Sequence, residues 1–372
     1  MKKITTLGIL GMLCTAVSVQ AQVNIYITGS TAFRASMFRA ITNLYGANLQ
    51  NENPGGPTAN NSGANQVTYG GLMSGVFGSQ QVTIYTSMSG SIAGVQTLAQ
   101  NLNVTYNNSP TNGDATTVNH QADLAFSDVY QAATGYQTPA LADLLVAVQP
   151  FAFTKSISSP ARLTNITHQQ IQPFFANGYI PLSYFTGNTN DGSTNCYLPG
   201  RSIDSGTRLT AEYDSFFAPG GVEQPYAPNG SGVWSPSVGY SSGSGVRGAL
   251  NQANAGPAIG YLGIADGMVV NNGSNNITYD GALPYLGTLN TGTTSVTGTN
   301  DYTPVIKGQY SYWSYEHLFE RTSVSPGSSV DLLRSNLSTY IDLDIANVYP
   351  KVDVRLSEMQ VTRPADGGPI TP

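Results

Sequence analysis

The sequence predicts an α/β fold in two domains, with mainly parallel sheets. Two observations carry that prediction. Short apolar strands are followed, more than once, by a turn of small residues and then an amphipathic helix. Strands alternating with helices are the pattern of βα units and parallel pairing. The chain also has 372 residues, more than a single hydrophobic core usually organises.

The elements follow in order. Residues 1–21 start with Lys2 and Lys3, run through an apolar stretch over 7–19 and end on Val-Gln-Ala. This predicts a secretory signal peptide cleaved near Ala21, and so a periplasmic or secreted mature chain. Leu13 before Cys14 argues against lipidation, and no later stretch is apolar for long enough to suggest a membrane span. Residues 23–28 alternate as a strand. Ser30, Thr31 and Ala32 then lead into a helix marked by Phe33, Met37, Phe38 and Ile41. Residues 81–85 form a second strand, followed by a Gly/Ser turn around Ser91 and a helix through Val95, Leu98 and Leu102. A short strand over 122–128 ends on Asp128. The run 144–153 suits a strand buried on both faces, where the chain leaves the first domain.

Residues 163–175 read as a Thr-capped helix and 245–253 as another. Residues 256–264 read as a Gly-rich strand, and 328–347 as a long amphipathic helix. Four stretches rich in Gly, Asn or Tyr (48–75, 101–119, 219–245 and 271–303) look like insertions, and the end of the chain after Lys351 looks loosely held. The resulting division is 22–152 plus about 280–350 for one domain, 153–279 for the other, and 351–372 for the tail.

Composition narrows the function. Charged residues make up 10% of the chain and the net charge is −6, which argues against nucleic acid and anionic membranes as partners. Cys196 is the only cysteine past residue 21, so no internal disulfide is expected, and it reads as a buried small residue. The chemistry concentrates at Arg201 and at Ser205, Gly206 and Thr207. A Ser-Gly-Thr at a helix start offers two hydroxyls and free backbone N–H groups. An arginine just upstream adds a fork that matches two oxygens of an anion. Ligands of α/β sheets sit beyond the C-terminal ends of strands, where helices begin. The three small-residue turns and Asp128 all fall at such places.

In this order the motifs resemble those of the phosphate-binding proteins of bacterial ABC phosphate importers. The matching stretches are Ile-Thr-Gly-Ser-Thr-Ala-Phe (27–33), Gly-Ser-Ile-Ala-Gly-Val-Gln-Thr-Leu (90–98), Asp-Leu-Ala-Phe-Ser-Asp (123–128), the block over 163–185, Arg-Ser-Ile-Asp-Ser-Gly-Thr (201–207) and Pro-Ala-Ile-Gly-Tyr (257–261). A weaker echo lies at 308–318. The resemblance implies a type II periplasmic binding protein-like fold: two domains, a hinge and an interdomain cleft. It implies that the ligand is inorganic phosphate or a similar oxyanion, held by Ser30, Thr31, Ala32, Ser91, Asp128, Arg201, Ser205, Gly206 and Thr207. It further implies an ABC permease as partner, a monomer, no metal and no cofactor. Asp204 departs from the family, which often carries Gly there; it is expected either to weaken anion binding or to hold Arg201 in place.

Two other functions compete. One is a structural or adhesive surface protein that keeps the fold without the ligand, as the Tyr/Asn/Gly-rich composition suggests. The other is a phosphate-ester hydrolase. It is disfavoured because none of His120, His168 and His317 falls in the motifs to serve as a base, and no metal-ligand cluster is present. The sequence therefore predicts a binding protein and no enzyme.

Overall fold

The computed structural model describes residues 22–217, 222–289 and 300–372. The predicted signal peptide, with Cys14, lies outside them, as do residues 219–221 and 290–299 of two predicted insertions.

The first lobe contains β1 (Val23–Gly29), α1 (Arg34–Tyr45), β2 (Leu49–Asn53), β3 (Gln66–Leu72), β4 (Gln81–Ser87), α2 (Ser91–Gln100), β5 (Asn103–Asn107), β6 (Thr117–Gln121) and β7 (Leu124–Ser127). Next comes β8 (Leu145–Lys155). The second lobe follows with α3 (His168–Asn177), α4 (Gly206–Asp214), α5 (Gly243–Leu250), β9 (Ile259–Gly263) and β10 (Asn276–Tyr279). The chain returns through β11 (Trp313–Arg321) and ends its regular structure with α6 (Ser329–Asn347).

β1 lies between β4 and β7, parallel to both. Its alternation places Ile25 and Ile27 against α1 and α6, while Tyr26 faces the other way and stacks on Tyr85. Both faces are thus covered, which suits a central parallel strand. The α/β class stands, but the sheet is mixed. Beyond β1, parallel pairing among the described residues recurs between β10 and the short strand Asn165–Ile166 and in two isolated bridges, Tyr197 to Ala258 and Arg201 to Tyr240. The other strands pair antiparallel because they are joined by hairpins or cross between lobes.

The stretch 48–75 is more than an insertion. It supplies β2 and β3, which extend the sheet beyond β4. Residues 103–121 likewise form the β5–β6 hairpin. Buried side chains such as Val67 and Tyr69 anchor β3, but they are too sparse among Gly, Thr and Gln to reveal a strand by alternation.

Strand β8 joins the two halves, called lobes, of one eleven-stranded sheet. Its first half pairs with β11, and its second half pairs with β9 and β10. Two cores flank this crossover. One holds Ile25, Phe33, Ile84, Phe126, Leu337 and Ile341; the other holds Phe153, Ile171, Phe174, Tyr261, Ile277 and Tyr312. Helix α3 is capped by Thr167, whose hydroxyl and Gln170 form a reciprocal capping box, so the Thr-capped helix expected over 163–175 begins only at His168.

Residues 351–372, expected to be loosely held, pack across both lobes. Arg363 pairs with Asp214 on α4 at 3.1 Å and donates to the Trp313 carbonyl at 2.7 Å. Asp366 accepts from the Tyr130 backbone N–H at 2.9 Å. Buried polar contacts of this kind have no periodic signature in a sequence. No helix among the described residues is long and apolar enough to cross a membrane.

Candidate functional site

The site forms where the helix starts of both lobes meet, beside the β8–β11 crossover. At the start of α1, Ser30 is fully buried. Its N–H donates to the Phe126 carbonyl at 2.8 Å and its hydroxyl accepts from the Phe33 N–H at 3.3 Å. Ser30 therefore holds the turn, while Thr31 and Ala32 project beyond it. Gly29 makes that turn possible: its φ is +115°, and a Cβ there would lie 1.9 Å from the Phe126 carbonyl oxygen.

At the start of α2, the hydroxyl of buried Ser91 accepts from the Asp128 backbone N–H at 3.3 Å. Asp128 itself follows β7 and is 1% exposed. Its Oδ2 accepts from the Thr207 hydroxyl at 3.1 Å. Its Oδ1 faces Gly206 and Ser91 without a hydrogen bond of normal geometry. Burial raises the Asp128 carboxyl above the usual carboxylate range; the Ser91 hydroxyl, the Arg201 charge and the Thr207 hydroxyl offset this in part.

From the second lobe, Ser205 caps α4, its hydroxyl accepting from the Arg208 N–H at 3.3 Å. The N–H groups of Gly206 and Thr207 fall in the first turn, where no helix carbonyl can reach them. Arg201 is 1% exposed and takes part in no ion pair among the described residues. It donates to the Thr31 hydroxyl at 2.8 Å, to the Tyr240 carbonyl at 3.1 Å and to the Ser241 carbonyl at 3.2 Å. Nη1 lies 3.5 Å from the Thr207 hydroxyl. Burial pushes this guanidinium down from its ordinary value. A buried charge without a counterion costs several kcal/mol unless other groups compensate.

Of the nine residues singled out in the sequence, Thr31, Ser91, Asp128, Arg201, Gly206 and Thr207 thus converge directly. Ser30 and Ser205 hold the turns that present them, and Ala32 approaches Gly263 on the second lobe. Asp204 neither pairs with Arg201 nor caps the helix. Its carbonyl accepts from the Ile92 N–H of the first lobe at 3.1 Å. Gly90, at φ +122°, allows that approach, since a Cβ there would lie 2.5 Å from the same carbonyl oxygen. The neighbours that hold Arg201 carried no signal of their own. Tyr240 and Ser241 act through their carbonyls. Tyr261 accepts from the Arg201 backbone N–H at 2.9 Å and donates to Glu223 at 2.9 Å. Glu223, pushed up to about 8 chiefly by burial, anchors that chain. Tyr261 was visible as the end of the 257–261 motif but had no role assigned to it.

What the site offers is one cation, the acid Asp128 with a second buried acid, Glu316, close to it and to Ser30, both raised by burial, and several hydroxyls and free N–H groups. The histidines are engaged elsewhere: His120 stacks on Tyr26, His168 pairs with Asp280 and His317 with Asp143. Among the described residues no cluster of three or more His, Cys, Asp or Glu is placed to hold a metal. Cys196 is fully buried, and burial pushes its thiol up.

No protein-family model matches the chain, and no curated protein matches it. Solved structures do. One is a Clostridium perfringens protein assigned as a phosphate ABC transporter substrate-binding protein and solved with bound phosphate. It is 14% identical over 90% of this chain and 99% of its own, with a TM-score of 0.54. Another is an ABC-type phosphate transport receptor from Vibrio cholerae, 14% identical over 87% of this chain and 98% of its own, with a TM-score of 0.47. With its mixed sheet and facing helix starts, the chain shares the fold of that Clostridium perfringens substrate-binding protein.

Proposed function

We propose that the chain is an exported solute-binding protein that captures phosphate, or a similar tetrahedral oxyanion, in the cleft between its lobes for delivery to an ABC permease. The observation that carries this reading is Arg201: a buried guanidinium without an ion pair, facing a buried acid across the cleft. In this reading Arg201 supplies the charge. Thr31 and Ser91 supply hydroxyls, Ala32, Gly206 and Thr207 supply N–H groups, and Ser30 and Ser205 shape the two turns. Charge-assisted hydrogen bonds are worth roughly 1.5–3 kcal/mol each, so a few suffice for micromolar affinity, about −8 kcal/mol.

Asp128 supplies the discrimination. Hydrogen phosphate carries a proton that Asp128 accepts, while sulfate has none and meets only repulsion. The lobes divide at the β8–β11 crossover, and the mature chain acts as a monomer in the periplasm or outside the cell.

A second reading, a structural protein that keeps the fold without a ligand, draws on two features. Arg201 already bonds to Thr31, and residues 351–372 tie the lobes together. A thermal-shift titration of the chain from Gln22 onward separates the two. Phosphate at 100 times its dissociation constant adds about 2.7 kcal/mol. No shift with phosphate, sulfate, arsenate, molybdate or tungstate favours the structural protein.

A further inference from the structure

A crevice of about 170 Å³ lies beside Arg201, with Thr31 and Ala32 lining the side toward it. Thr31 serves both sides. Its hydroxyl accepts from Arg201 at 2.8 Å, and its carbonyl accepts from Nε of Arg34 at 2.7 Å. Arg34 begins α1 and is 4% exposed. Its Nη1 donates to Asn65 and its Nη2 lies 3.7 Å from Asp266 across the cleft. Asp266 also pairs with Arg247 of α5 at 2.9 Å. Two guanidiniums therefore share one carboxylate, which leaves a net positive charge at the crevice. Nη1 of Arg247 engages Asp266, and its side chain is 34% exposed. Ser62, from the turn between β2 and β3, adds a hydroxyl on the opposite side. None of Arg34, Ser62, Arg247 and Asp266 belongs to the motifs around Arg201.

We infer that the cleft accepts a phosphate or phosphonate bearing a second small anionic group, with the phosphoryl head on Arg201 and the second anion in the crevice between Arg34 and Arg247. The inference rests on the proposed phosphate site and specifies its ligand class. The volume suits a carboxylate with one or two methylenes. A bulky or cationic substituent is excluded, the first by size and the second by the net charge. The segment 48–75, read as an insertion in the sequence, contributes to ligand choice through Ser62, which lines the crevice, and Asn65, which holds Arg34.

The test is calorimetry on the mature chain with three probes: inorganic phosphate, ethylphosphonate and phosphonoacetate. Phosphonoacetate is expected to bind at least tenfold tighter than ethylphosphonate, which lacks the carboxylate. In Arg247→Gln, at an unfolding temperature near wild type, that gain falls below threefold while inorganic phosphate keeps its affinity. Phosphate binding with no preference for phosphonoacetate overturns the inference and leaves the phosphate site intact. An unchanged gain in Arg247→Gln also overturns it. Binding of none of the three removes the phosphate site and the inference together.

Discussion

Thr207 on the second lobe donates its hydroxyl proton to Asp128 on the first across 3.1 Å, and Arg201, also on the second lobe, donates to Thr31 on the first at 2.8 Å. Two short polar links thus join the two regions, one ending on a buried acid and one starting from the basic side chain of Arg201. Each becomes a ligand contact if an anion enters between them.

Removing the base should remove the binding. Arg201→Ala is expected to lower phosphate affinity at least hundredfold by calorimetry. Arg201→Lys should recover little, because an ammonium cannot serve Thr31, the Tyr240 carbonyl and a bidentate anion together. Equal phosphate affinity in wild type and Arg201→Ala would show that the anion sits elsewhere.

Changing the acid should alter selectivity more than affinity. Asp128→Asn replaces a proton acceptor by an amide that can also donate. The preference for phosphate over sulfate should shrink about tenfold or more in competition titrations. A preference that survives intact means Asp128 is only a structural partner of Thr207.

Gly206 is required by contact. A Cβ there would lie 1.6 Å from Oδ1 of Asp128 and 2.7 Å from Cβ of Ser91. Gly206→Ala should keep the lobes from closing, abolish phosphate binding, and cost about 1–3 kcal/mol of stability. Retained tight binding would mean that Asp128 can swing away at no cost.

Stability should fall as pH rises through neutrality. Asp353 and Asp366 are each pushed up to about 7, chiefly by burial. Between about pH 4, where an unfolded Asp titrates, and pH 7 the folded chain holds these protons and the unfolded chain does not. The stabilisation is full below that window and is lost as pH passes the folded value. The unfolding temperature should drop by about 5 °C or more from pH 5 to pH 8. The double variant Asp353→Asn, Asp366→Asn should flatten that slope, since the amide oxygen that replaces the second carboxylate can still accept from the Tyr130 N–H. An equally steep slope in the variant would place the titration on other groups.

Much of this was legible in the chain itself. The alternation of residues 23–28, the small-residue turns at Ser30 and Ser91, and the cap at Ser205 are local features. They follow from side-chain periodicity and from the hydrogen-bonding needs of a helix start. Asp128 could be placed at a strand end for the same reason. Tyr240, Ser241, Glu223 and the tail residue Arg363 could not be read so. Their roles depend on carbonyls and carboxylates brought together from distant parts of the chain, and no spacing rule encodes that.

The sequence by itself determined the α/β class, the helix starts near Ser30, Ser91 and Ser205, and the residue types gathered at 201–207. Tertiary structure alone decided that Arg201 meets Thr31 and Thr207 meets Asp128, that Asp204 serves through its carbonyl, and that residues 48–75 lengthen the sheet and reach the cleft. The reason is physical. Local periodicity fixes which face of an element is buried, whereas a buried charge acquires its partners only when the crossover of β8 and β11 brings distant parts of the chain together.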